Sequence, residues 1–346
     1  MDLLYVLLAL LVFGFMILVH ELGHFLFAKL FKVEINEFSI GMGPKIISKK
    51  GRDNVQYSLR LLPIGGYVAM EGENEESDNP NSYSKKPVWQ RFIIVIAGAL
   101  VNILVGAIIM TILTISSPYY GTTTIADFQE NAISQEYGLE IGDEIIKVGN
   151  TSVHTYDELS YEIMRVGYAP VDITFVRDGE VYTKEITFGT TTSEGISFGK
   201  MDFIVLGESK SFISVCKNAF FSTKSTIKMV WDSLVDLIIG RYGFEHVSGP
   251  IGVTGAISQA AKISTYSFFY MIVIISMNLG VFNLLPIPAL DGGTLVFLVY
   301  EMIFKKPVPK KVEGISKAVT MVLLLLLVVV VTFKDIINLF WGVYET

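Results

Sequence analysis

Four apolar stretches, each long enough to cross a lipid bilayer as a helix, divide this chain of 346 residues. They cover Leu3–Phe31, Phe92–Ile115, Phe268–Leu285 and Val319–Phe340. The composition agrees, because 51% of the residues are hydrophobic and 18% are charged. Typical soluble domains have about 25% charged residues. The sequence therefore predicts a polytopic α-helical membrane protein with four transmembrane helices.

Lysine and arginine residues are concentrated in two polar segments, and such segments usually remain on the cytosolic side of a membrane. One segment follows the first apolar stretch and the other precedes the last: Lys32, Lys45, Lys49, Lys50, Arg52, Arg60, Lys85, Lys86 and Arg91, and Lys305, Lys306, Lys310, Lys311 and Lys317. Both termini and the long segment between the second and third helices are then expected outside the cytosol. The first stretch lacks the basic start of a signal peptide, so we predict that it is retained.

Charge and cysteine content exclude several classes of protein. The net charge of −7 gives no reason to expect a nucleic-acid partner. Cys216 is the only cysteine in the sequence, so neither an intrachain disulfide nor a cysteine-based metal cluster can form. The partner that the composition does predict is the lipid bilayer.

Changes in composition predict four regions along the chain. They are residues 1–117 with the first two helices and a cytosolic-side β-loop, 118–190 as a compact extracytoplasmic α+β domain, 191–265 as a linker with an amphipathic helix, and 266–346 with the last two helices.

Two polar segments have patterns of their own. Val55–Met70 alternates apolar and polar residues and then turns through Pro63-Ile64-Gly65-Gly66, which indicates a membrane-associated β-loop or hairpin. Ser209–Ile239 has apolar residues at helical spacing with charged residues along the opposite edge. Such a helix suits either the outer membrane surface or packing against the soluble domain.

A metal-binding pattern lies within the first apolar stretch. His20-Glu21-Leu22-Gly23-His24 places two imidazoles four positions apart, and hence on one face of a helix. Glu21 lies on the flank of that face, where its carboxylate can take a proton from a water that the metal activates. Because two histidines and a glutamate are costly inside a bilayer, we interpret the pattern as a metal site with Glu21 as its catalytic base.

A hydrolytic zinc site usually has three protein ligands and a water, so a third ligand is expected elsewhere in the chain. Asp291 is the best candidate, because Pro286, Pro288 and the Gly292-Gly293 pair around it would break a helix at membrane depth. A local alternative is that Asp291 caps the helix that follows. Weaker candidates for the third ligand lie at helix ends or in polar segments: Asp335, Glu301, His154 and His246.

Taken together, these motifs resemble bacterial site-2 proteases of the regulator of sigma-E protease type, over nearly the whole chain. Besides the His20–His24 pattern, Asn283–Gly293 matches the signature Asn-x-x-Pro-x-Pro-x-Leu-Asp-Gly of that family. Four further segments are similar to the family's glycine–proline turn, membrane-reentrant β-loop, PDZ-domain turn and segment before the third helix: Gly41–Pro44, Leu59–Glu71, Gly138–Asp143 and Val247–Gly252.

The resemblance implies that one zinc ion per chain is bound by His20, His24 and Asp291, and that Glu21 is the catalytic acid and base. It also implies substrate contacts for residues of the broken third helix: Asn283, Pro286 and Pro288. From its residue type alone, Asn283 can either hydrogen-bond an extended peptide or tie two helices together.

Members of the family cut transmembrane or signal-peptide-derived segments, for instance in anti-sigma factors, often after another protease has trimmed the substrate. The chain is thus expected to be a zinc metalloendopeptidase of the bacterial inner (cytoplasmic) membrane that acts on single-span substrates. Its outer domain is expected to be one PDZ-like domain, although Asn131-Ala132-Ile133 stands where Ser-Pro-Ala is commoner in the family.

Two other classes of protein were compared with a protease. A metal transporter often has internal repeats or symmetrically placed broken helices, and the sequence displays neither. A catalytically silent PDZ scaffold has no need of Glu21 beside the histidines. For a protease, the substrate helix must unwind, and we expect an exposed strand edge in the β-loop, at Tyr57, Leu59 and Leu61, to pair with it.

Overall fold

The computed structural model describes residues 3–73, 75, 77–193 and 195–340, which form two compact units. The first unit combines the chain up to Gly106 with the chain from Gly243 onward, and the second is Ala107–Tyr242. In chain order the elements are α1 (Leu3–Leu30), β1 (Ile35–Lys50), β2 (Gln56–Met70), α2 (Val88–Ser116), β3 (Tyr120–Phe128), α3 (Ile133–Glu136), β4 (Glu144–Val148), β5 (Thr151–Ser152), α4 (Tyr156–Val166), β6 (Val171–Arg177), β7 (Glu180–Ile186), β8 (Gly189–Ser193), β9 (Ile196–Lys200), β10 (Phe203–Glu208), α5 (Phe212–Ile238), α6 (Pro250–Ile263), α7 (Thr265–Asn283), α8 (Asp291–Phe304) and α9 (Lys310–Phe340).

Four of these helices, α1, α2, α7 and α9, are long and apolar enough to cross a membrane. Their positions agree with the four predicted apolar stretches. The sequence analysis did not identify α6, and it considered α8 only in the alternative that Asp291 caps a following helix. Pro250 stands at the first turn of α6, where its missing N–H costs nothing and its fixed φ favours a helix start.

The predicted β-loop pairs with a strand that the sequence analysis did not identify. The first part of β1 lies between the two ends of β2, since Phe38 pairs with both Tyr57 and Val68. Tyr57 also pairs with Lys49 on its other side. Across this small mixed sheet the order is therefore 66–70, 35–40, 56–60 and 45–50, and the two central segments run parallel to each other. The bend in β1 uses Gly41, whose φ of +83° suits glycine.

Arg60 joins the segments of this sheet. Its guanidinium donates to Ser39 Oγ at 2.9 Å and Glu37 Oε1 at 3.0 Å, and also to the Tyr67 hydroxyl. Desolvation works to raise the pKa of Glu37, but hydrogen bonds that include those from Ser58, Lys45, Tyr67 and Arg60 prevail and lower it to about 2. Glu37 is therefore ionised at neutral pH and holds Arg60 beside the segment 66–70.

The second unit is built on an antiparallel sheet with the strand order β10-β3-β4-β6-β7, and β5 pairs with β4. The sheet extends beyond the domain boundary predicted at residue 190, because β10 pairs with β3 and Phe203 is buried in the core. The segment 191–208 is therefore part of the folded unit and not of a linker. The threonine-rich start of this segment is typical of a linker, so the sequence analysis did not identify the apolar strand β10 that follows it.

Helix α5, predicted from its amphipathic pattern, buries its polar side. Ion pairs join it to α4: Lys224–Glu158 at 3.2 Å, Lys228–Glu162 at 2.7 Å and Arg165–Asp236 at 3.0 Å. Large apolar residues of α5 are exposed instead, among them Phe212, Phe220 and Trp231. The packing alternative therefore holds for the polar side, and the apolar side stays exposed.

Candidate metal centre

Three electron-pair donors from two helices converge at one point in the first unit. His20 and His24 lie one turn apart on α1, and Asp291 is the first residue of α8. Asp291 Oδ2 lies 3.1 Å from His20 Nε2 and 3.3 Å from His24 Nε2, and the two Nε2 atoms are 3.2 Å apart. Within the described residues, this is the group of histidine and acidic side chains that could hold a metal ion.

The donor atoms fit a zinc ion. His24 Nδ1 lies 2.9 Å from the Ile94 carbonyl oxygen, which can only accept, so this nitrogen carries the proton and Nε2 offers a lone pair. Asp291 Oδ2 is buried and, in the described part of the chain, makes no hydrogen bond. Tetrahedral zinc with bonds of about 2.0 Å keeps its ligand atoms about 3.3 Å apart. The triangle observed here has that size.

The broken segment between α7 and α8 accounts for the position of Asp291. Residues 284–290 fold back against the start of α8, and a Cβ on Gly292 would lie 2.1 Å from the Leu285 carbonyl oxygen. A Cβ on Gly293 would lie 2.4 Å from the Cα of Pro288. The proline–glycine cluster thus shapes a close turn of backbone that presents Asp291 to the histidines.

The structure does not support a cap role for Asp291, and the other candidates for the third ligand have other partners. The N-cap of α8 is Leu290, so Asp291 is not the cap. Glu301 accepts a hydrogen bond from Arg91 at 2.6 Å, and Asp335 accepts one from the Gly252 N–H at 2.8 Å. Two of the four histidines lie away from this group: His154 pairs with Glu158 at 3.1 Å and His246 lies 3.7 Å from Glu245.

Glu21 lies in a cavity of about 260 Å³ that also contains the three donor side chains. The backbone of Val68 hydrogen-bonds to Glu21, and a Cβ on Gly66 would lie 3.4 Å from Glu21 Cγ. The segment 66–70 therefore borders the Glu21 carboxylate. The remaining lining residues come from β2 and its following loop, from α2, α8 and α9: Tyr67, Met70, Glu73, Tyr83, Val95, Thr294, Glu313 and Lys317.

The predicted substrate-contact residues do not line this cavity. Tyr57 and Leu59 belong to the inner segment of the small sheet, where strands pair on both sides, so they do not form an exposed strand edge. Tyr57 instead donates to Asp53 at 2.8 Å. The prediction of a free strand edge is therefore wrong at Tyr57 and Leu59, because a strand not foreseen in the sequence pairs with both residues. For Leu61 it stays a prediction. Pro286 and Pro288 lie on the turn that positions Asp291, and Asn283 is the last residue of α7 before that turn.

The sequence analysis did not identify the glycine that the two imidazoles pack against. A Cβ on Gly98 of α2 would lie 2.4 Å from His24 Nε2 and 2.8 Å from His20 Cε1. A Cβ on Gly23 would lie 2.6 Å from the Ala97 carbonyl oxygen. The small-residue run Ala97-Gly98-Ala99 in an apolar stretch is the available sequence signal, since such runs allow close helix approach.

Comparisons with known proteins identify the family of the chain. The sequence model of peptidase family M50 matches residues 8–327. Two proteins that bear the name putative zinc metalloprotease, from Clostridium acetobutylicum and Clostridium perfringens, are 37% and 36% identical, with 96% of this chain and 97% and 98% of theirs aligned. The zinc metalloprotease RasP of Shouchella clausii is 28% identical, over 95% of this chain and 98% of its own.

Substituting Gly98 by alanine should weaken zinc binding roughly 10- to 100-fold, the size of effect seen when the surroundings of metal ligands are disturbed. The added methyl group would occupy the space of the imidazoles. Gly106→Ala on the same helix is the matched control, since its Cβ would meet only the flexible side chain of Met277. Zinc competition with a chromophoric chelator measures both. Equal affinities for the two variants would contradict the packing described here.

Proposed function

Because the chain belongs to peptidase family M50 and is a zinc metalloprotease of the site-2 protease family, we propose that it cleaves transmembrane segments of other membrane proteins. The observation that carries this proposal is the placement of two of the three donor side chains, together with Glu21, on α1, a helix apolar enough to span a membrane. Chemistry at this position suits a peptide bond within the bilayer better than one in solution.

His20, His24 and Asp291 would hold the zinc ion. Bound there, zinc supplies a Lewis acid that polarises the scissile carbonyl and activates water. The carboxylate of Glu21 takes the proton of the attacking water and then gives a proton to the leaving amine. The Val68 backbone, which hydrogen-bonds to Glu21, holds this carboxylate within the cavity.

The segment 66–70 is where we propose that the substrate pairs. In the described part of the chain, this segment has a strand partner on one side only, namely the first part of β1. Its other side borders Glu21 and the cavity. A substrate that unwinds and adds as a strand at this edge would bring its peptide bonds beside the donor triangle.

The chain is a multi-pass membrane protein, and the distribution of its basic residues supports a cytosolic position for the small sheet. We propose that both termini and the second unit lie outside the cytosol of a bacterial inner membrane. The exposed apolar side of α5 would then rest on the outer lipid surface. The second unit would act as a PDZ-like filter that admits single-span substrates only after another protease has trimmed them, such as anti-sigma factors or signal-peptide remnants.

Glu21→Gln should lower cleavage of a membrane-embedded reporter by about 10²- to 10⁴-fold, because the general base is lost. Zinc content should not change, since the three proposed ligands remain. Glu130→Gln, at an exposed position of the second unit, is the control and should cleave normally. Retained cleavage in the Glu21 variant would refute the proposed role, whereas a transporter or scaffold would cleave nothing even as wild type.

Substrate capture at the edge segment can be tested with a photo-crosslinking amino acid at Tyr67 or Tyr57 of the Glu21→Gln variant. Tyr67 lines the cavity on segment 66–70, and Tyr57 lies on the inner segment of the same sheet. We expect a reporter segment to crosslink at Tyr67 and not at Tyr57. Crosslinking at Tyr57 alone, or equally at both, would show that the substrate docks elsewhere.

A further inference from the structure

One fully buried side chain on α2 contacts the back of a proposed zinc ligand. Asn102 has no exposed surface, and its amide nitrogen lies 3.3 Å from His20 Nδ1. Its amide oxygen is buried and, within the described residues, has no hydrogen-bond partner. A buried amide that touches an imidazole while its oxygen lacks a partner requires an explanation.

The chemistry of His20 explains why the Asn102 amide oxygen lacks a partner. Since Nε2 of His20 faces the other two donors, a neutral ring that offers this lone pair to a metal carries its proton on Nδ1. An Nδ1–H group needs an acceptor, whereas the amide nitrogen is itself a donor. Turning the Asn102 amide by half a turn exchanges its oxygen and nitrogen, so that the partnerless oxygen accepts from Nδ1–H.

We propose that Asn102 is a positioning residue whose amide oxygen accepts a hydrogen bond from His20 Nδ1–H and thereby directs Nε2 toward zinc. The Ile94 carbonyl already performs this role for His24, at 2.9 Å. Both acceptors belong to α2, so this helix sets the tautomer of both imidazoles. Such partners orient metal ligands and increase their basicity. The inference depends on the zinc site and not on which peptide is cut.

A purely structural role for Asn102 has less support. The contact between α2 and α7 at this level runs through the Ser276 hydroxyl, which donates to the backbone carbonyl of Asn102 at 2.8 Å. This bond does not use the amide group. The side chain of Asn102 therefore remains available for His20.

The experiment measures zinc affinity of the purified full-length chain by chelator competition, without any cleavage assay. Asn102→Leu keeps the approximate volume but removes the acceptor, and it should weaken binding roughly 10- to 100-fold. Asn102→Asp retains an acceptor and lacks any amide donor, and it should bind nearly as well as wild type. Ser276→Ala, which removes a bond between the same two helices, is the control and should also keep wild-type affinity.

The Asp variant decides the question even if the Leu variant does not fold. Loss of affinity in Asn102→Asp would mean that His20 needs an amide donor or only the packing of an uncharged side chain, and would overturn the proposal. Wild-type affinity in a folded Asn102→Leu would overturn it as well. Because zinc binding is read directly, failure of the proposed cleavage reaction would leave this result unaffected.

Discussion

The convergence of three lone-pair donors in a buried place is the constraint on which the rest of the first unit depends. Two imidazole nitrogens and a carboxylate oxygen stand 3.1–3.3 Å apart, a spacing that only a shared cation or proton makes favourable. Every neighbouring feature serves this arrangement. The turn before α8 positions Asp291, and Gly98 lacks a side chain that would collide with the two imidazoles. The Ile94 carbonyl accepts a hydrogen bond that orients the ring of His24.

The small sheet gives this centre its second component, the segment 66–70, which in the described part of the chain has a strand partner on one side only. Arg60 and Glu37 form an ion pair, and Arg60 also donates to the hydroxyl of Tyr67. The charged pair is therefore in contact with the segment 66–70. On the opposite side of that segment, the Val68 backbone contacts Glu21. A single strand thus links a rigid polar support to the catalytic carboxylate. The cavity walls also carry Glu313 and Lys317 of α9, whose charged groups are 2.7 Å apart.

The sequence indicated the helices and the donor set well, for physical reasons that are local. A helix fixes the relation of His20 to His24, and long apolar stretches have few alternatives to a membrane helix. Asp291 could be inferred because a proline–glycine cluster at membrane depth is costly unless it has a purpose. The structure brings these three residues together.

What the sequence did not indicate depends on contacts between distant segments. The pairing of β1 with both ends of β2 decides which edge is free, and no local pattern at Tyr57 or Leu59 reveals that they are covered. The space that Gly98 leaves is likewise defined by residues more than seventy positions away. The threonine-rich strand β8 masked the continuation of the second unit through β10.

X-ray absorption spectroscopy at the zinc edge of the purified chain can show whether two imidazoles and the Asp291 carboxylate bind one zinc ion. We expect a shell of nitrogen and oxygen atoms at about 2.0 Å, with the outer-shell scattering of two imidazoles. In Asp291→Asn the two imidazoles should remain while the carboxylate contribution is lost. A zinc spectrum with fewer than two imidazoles, or one that is unchanged by Asp291→Asn, would contradict it.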